Sequence, residues 1–133
     1  MDKDIVSNVS VNPSLVPAAR TASGTGITVN TQGFDSAFVE FTFGAITDGT
    51  HTPSVLQSVD GVTFVPCVYG TDLDASMNLT AVSSSAGANT VQQIGYIGSQ
   101  RYLAVVMTTT GATSGAISSA SVIAGFPRSG PTQ

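Results

Sequence analysis

A chain of 133 residues, 41% of them apolar and only 9% charged, has enough apolar material for one core, and the length predicts a single domain over 1–133. The net charge of −4 and a pI near 4.4 argue against a nucleic-acid reader, because Lys3, Arg20, Arg101 and Arg128 are scattered and a phosphate backbone would be repelled. Residues 1–10 lack the basic-then-apolar order of an export signal, no apolar run approaches a membrane span, and the lone Cys67 excludes an intrachain disulfide. The expectation is a chain folded in the cytoplasm, with neither a membrane nor a nucleic acid as partner.

Ser and Thr make up about a quarter of the sequence, backed by 14 Gly, while Val, Thr, Ile and Phe recur in short alternating runs. Such usage predicts an all-β fold. Residues 1–17 start polar and acidic and then place Pro13 and Pro17 around Ser14, Leu15 and Val16, which predicts an N-terminal arm or edge segment. Ile27 and Val29 alternate with Thr28 and Asn30 in a short strand. Over 37–43, period two sends Ala37, Val39, Phe41 and Phe43 to the core and Phe38, Glu40 and Thr42 to the other face.

Residues 45–53 hold Asp48-Gly49 and Pro53 and read as a loop, with His51 exposed in it. Segments 54–59 and 62–65 flank Asp60-Gly61, the signature of a two-residue hairpin turn. The pattern loosens over 70–88, where 72–77 has the composition of one helical turn. Strands are predicted again over 90–97, over 101–109 with both faces apolar and so centrally placed, and over 116–124 after the turn 111–115. Residues 127–133 form a C-terminal tail. About seven to eight short antiparallel strands result, expected to pack as a β-sandwich of jelly-roll type.

The residues that carry chemistry are few. His51 and Asp48 lie near each other but match no nucleophile spacing, Cys67 follows Pro66 in an apolar run and reads as a buried hydrophobe, and Asp72 with Asp74 lacks the further ligands a cation needs. Gly24-Thr25-Gly26 lacks the rest of a phosphate loop, and Glu40 reads as a solvated or interface position. The expectation is no enzyme, no metal and no cofactor. Carbohydrate binding is the stronger alternative, with Tyr96 and Tyr102 as the candidate glycan platform.

Segments 14–21 (SLVPAART), 44–53 (GAITDGTHTP) and 94–98 (IGYIG) before Arg101-Tyr102 resemble the head-decoration, or cement, proteins of tailed bacteriophages. The resemblance covers residues 14–128. It implies a β-sandwich on the outer surface of the capsid, stabilising the expanded head, with the major capsid protein and further copies of itself (homodimer or homotrimer) as partners. Leu15, Val16, Arg20, Asp48, His51 and Arg128 are the candidate capsid or oligomer contacts under this reading, which gives weight to the two tails, 1–17 and 127–133, and to the loop 47–53.

Overall fold

The computed structural model describes residues 9–31, 34–74, 79–83 and 87–127. Nine strands run through them: β1 (Val9–Arg20), β2 (Gly24–Thr25), β3 (Val29–Asn30), β4 (Phe34–Ile46), β5 (Thr50–Ser58), β6 (Val65–Pro66), β7 (Thr90–Tyr96), β8 (Tyr102–Thr110) and β9 (Ala116–Pro127). They form two antiparallel sheets, β1-β9-β4-β7 and β2-β8-β5-β6, with β3 also on β8. Because β2 and β3 lie end to end along β8, they act as one strand interrupted at 26–28. With that merger the pairs β1·β9, β2/β3·β8, β4·β7 and β5·β6 are those of a long hairpin rolled up on itself, a jelly roll, which strand order shows and alternation, reporting only strand faces, does not.

The core lies between the sheets. Val39, Phe41 and Phe43 of β4, Ile94 of β7 and Val122 of β9 meet Val55 of β5 and Leu103, Val105 and Met107 of β8. Most of these side chains are fully enclosed, so each contributes about 1.5–3 kcal/mol of burial. β8 is central, between β2/β3 and β5, as its two apolar faces require.

The expected arm 1–17 is in part a strand. β1 runs along the edge of its sheet, and it accommodates Pro13 and Pro17 through two bulges, between Pro13 and Leu15 and between Leu15 and Ala18. Each bulge inserts one extra residue. Val9, Val11 and Pro13 therefore point outward while Leu15, one step out of phase, turns into the core. Leu15 is buried and cannot serve as the capsid contact expected of it. Residues 1–8 and 128–133, and with them Arg128, lie outside the described residues, as do residues 75–77 of the expected helical turn 72–77.

Residues 45–53, expected as one loop, divide into the end of β4, a short turn at 47–49 and the start of β5. Pro53 sits inside β5 because its nitrogen faces the flank away from β8. His51, two residues earlier, uses that same flank to exchange both of its backbone hydrogen bonds with Val82 (2.8 Å each), and among the described residues no partner strand reaches Pro53 there. The β5–β6 connection is also wider than a two-residue hairpin, since the pairing closes at Gln57↔Val65. Ser58 Oγ accepts the amides of Asp60 and Gly61, and Asp60 Oδ1 accepts those of Val62 and Thr63, so side chains shape the turn.

Candidate interaction surface

The inward positions of β5 are His51, Pro53, Val55 and Gln57, polar at both ends and apolar between them. His51 is fully buried, which corrects its reading as an exposed loop residue and as a contact. Its Nε2 lies 3.0 Å from the carbonyl oxygen of Asp48, a pure acceptor, so Nε2 carries a proton and donates; Nδ1 shares a 3.1 Å hydrogen bond with Thr109 Oγ1. The Asp48 carboxylate points elsewhere. It accepts the amides of Thr113, Ser114 and Gly115, so no His–Asp dyad forms.

Those amides, Gly115 and Thr113 foremost, hold the Asp48 carboxyl below the ordinary aspartate range, and the amides of Thr63 and Val62 do the same for Asp60. A depressed folded pKa contributes stability that is present above the unfolded value, near 3.9, and is lost as pH falls through the folded one. The urea midpoint is therefore expected to stay level from neutral pH to about pH 5 and to drop below about pH 4. Asp48→Asn is expected to lower the neutral midpoint and shrink that drop; an unchanged acid limb in this variant would show that the turn does not depend on the charge.

At the other end of β5, Gln57 Oε1 accepts a 2.7 Å hydrogen bond from Tyr96 Oη, which in turn accepts from the Gln100 amide. Tyr96 is buried. The glycan platform expected of Tyr96 and Tyr102 is not formed, because one ring belongs to the core while the other packs on Gly61 and carries the Arg101 guanidinium 5.1 Å from its centroid. Cys67 is partly buried, and burial, with the charge of Asp72 adding to it, pushes its thiol up to about 12. It stays protonated and unreactive at neutral pH. The Asp72 carboxylate is occupied by the Val68 amide.

What remains outward is the face of β1-β9-β4-β7 away from the core. Its pairing lines up Val11, Ile123, Phe38 and Gly95 in one row across all four strands, beside Val9, Gly125 and Ser36 in the next. Val9, Ser36, Ala37, Phe38, Ile123 and Gly125 line a shallow apolar depression. The adjoining rows are Pro13, Ser121, Glu40 and Gln93, then Ser119, Thr42 and Val91, so Glu40 is the one charged side chain among these outward positions. Thr42 Oγ1 donates to it. Alternation already sends Phe38 outward; Val11 escaped notice because the Pro-rich segment did not read as a strand.

Of the remaining expected contacts, Val16 is exposed and Arg20 half-buried, both at the second bulge of β1. They lie at the edge of the sheet, where the Arg20 backbone abuts Gly115, whose amide the Asp48 carboxylate accepts.

Neither a protein-family model nor a curated protein matches the sequence. Among solved structures, the chain is similar to the SPBc2 prophage-derived protein YomS, at 11% identity over 91% of this chain and 98% of that one, with a TM-score of 0.45. It is also similar to the P-domain of Macrobrachium rosenbergii nodavirus (11%, 90% and 92%, 0.38) and to a family 6 carbohydrate-binding module (10%, 90% and 84%, 0.37). At TM-scores below 0.5 these likenesses carry neither the fold nor the function of this chain, which rest on its own pairing and residues.

Proposed function

We propose that this chain is a structural protein of a bacteriophage virion, a decoration protein that binds the outer surface of the expanded capsid through the major capsid protein and through copies of itself, without catalysis. The observation that carries the proposal is the outward face of β1-β9-β4-β7. A row of Val11, Ile123 and Phe38 crosses the sheet, with Glu40 in the next row and Asp74 beside Gly95 at its far end as the nearby charges, and sparse charge around exposed apolar and aromatic groups is the signature of a protein-binding surface. Val9 and Gly125 are paired beside this row, so β1 begins and β9 ends at the same corner as the apolar depression. Short Ser and Thr side chains on the rest of the face dock at small entropy cost, and many copies on one shell multiply weak contacts.

Purified protein is expected to co-sediment with expanded heads of the encoding phage and to bind unexpanded heads poorly. Phe38→Asp, at a solvent-facing position, should abolish that binding while the unfolding midpoint stays close to the parent's. Failure of the parent to bind either head form would overturn the proposal, as would full binding by the variant.

A further inference from the structure

Arg20 is the last residue of β1, and its side chain turns back along the strand so that Nη2 donates to the carbonyl of Val16, inside the bulge where β1 leaves its register with β9. A second guanidinium nitrogen lacks a partner. Nε is shut off from water with no acceptor, and none of the described carboxylates pairs with the group. Burial alone pushes its pKa below the ordinary arginine value, and no neighbouring acid offsets that cost. A half-buried cation normally sits opposite an anion, because desolvation without compensation is expensive. Among the described residues that anion is missing, in a chain that carries twice as many acids as bases.

The guanidinium lines a cleft at the sheet edge together with Ser14, Leu15, Val16, Thr25, Gly26 and Ile27. None of these is acidic. Two apolar side chains, Val16 and Ile27, stand exposed in it at 53% and 61%. We infer that this cleft is a receptor for an aspartate or glutamate side chain of a partner protein, the carboxylate meeting Arg20 and the partner's neighbouring apolar groups meeting Val16 and Ile27. The apolar residues and the net negative charge of the chain favour a single carboxylate over a polyanion such as nucleic acid or an anionic membrane. The carboxylate's geometry suits the flat guanidinium, which an ammonium would not replace. The inference stands apart from the capsid proposal, since it names the chemistry of the partner and a different surface.

The test is an NMR titration of the full chain with N-acetyl-glutamate N-methylamide at constant ionic strength. Parallel arms contain sodium phosphate and sodium chloride. The expected result is a saturable shift of the Arg20 side-chain N–H signals and of the Val16 and Ile27 methyl signals with the capped glutamate, with chloride giving none. Arg20→Lys should weaken the response several-fold and Arg20→Met should remove it, both with unchanged backbone spectra away from the cleft. If Arg20→Met disturbs the bulge, the Ile27→Ser variant, which leaves Arg20 in place, is expected to weaken the capped glutamate and spare any response to phosphate. No saturable shift in the parent, or an equal response to phosphate, overturns the inference.

Discussion

Gly26→Ala is expected to destabilise the fold by about 3–5 kcal/mol, far more than an added methyl on a surface segment would. A Cβ at this position would stand 2.4 Å from Ser14 Oγ and 2.6 Å from Ser14 O, and the second of these is backbone that cannot step aside. The site is the seam where the two sheets join. β8 loses its partner between β2 and β3, and the N–H of Val105 would be left without an acceptor in the interior. Ser14, projected from the edge strand of the other sheet by its bulge, fills the gap: its Oγ accepts from Val105 N and donates to Ile27 O. The backbone completes the seam, with Ile27 N donating to Ser14 O and Gly26 N to Val105 O, both at 2.7 Å. Moving Gly26 away from Ser14 therefore breaks several buried hydrogen bonds at once. Ser14→Ala removes only the hydroxyl and is expected to cost about 1–3 kcal/mol, the penalty for the Val105 N–H and Ile27 C=O it strands. Urea denaturation of both variants checks this, and a Gly26→Ala protein within about 1 kcal/mol of the parent would mean that the seam yields easily.

The same seam marks the limit of what a period-two reading reaches. β4, β8 and β9 were legible because their inward positions are mostly apolar, Thr109 and Ser118 being the buried exceptions, and the pairing register keeps them in phase: Val39, Phe41 and Phe43 lie inward as alternation requires. Leu15 was misplaced because a bulge reverses the phase, and nothing in Pro-Ser-Leu-Val-Pro says where the extra residue goes. His51 was misplaced because Asp-Gly and Pro are turn residues by composition. Whether Pro53 ends a strand depends on which flank its nitrogen faces, a property of the partner strands. Tyr96 was read as a platform for its ring, while its hydroxyl decided its place: Gln57 is the buried acceptor that draws it inward. The apolar row on the outer face is a product of register, assembled from four strands of which only Phe38 was marked by its own neighbours.

His51→Leu, which keeps most of the side-chain volume, is expected to cost about 2–4 kcal/mol even though it makes the core more apolar. The reason is what the imidazole leaves behind. The Asp48 carbonyl and the Thr109 hydroxyl both turn inward to meet it, and a leucine satisfies neither. The Asp48 carbonyl belongs to the turn whose carboxylate gathers the amides of Thr113, Ser114 and Gly115, so the imidazole fixes one turn directly and a second through Asp48. The losses from His51→Leu and Asp48→Asn should therefore overlap, with a coupling of at least about 0.5 kcal/mol in a double-mutant cycle. Adding Thr109→Val to His51→Leu removes the stranded hydroxyl and is expected to recover part of the loss, since replacing both partners of a buried hydrogen bond costs less than replacing one. Strict additivity of His51→Leu and Asp48→Asn would separate the two turns and leave His51 as packing alone. A single variant as stable as the parent would remove it as a structural pin, and the buried histidine would then need another explanation.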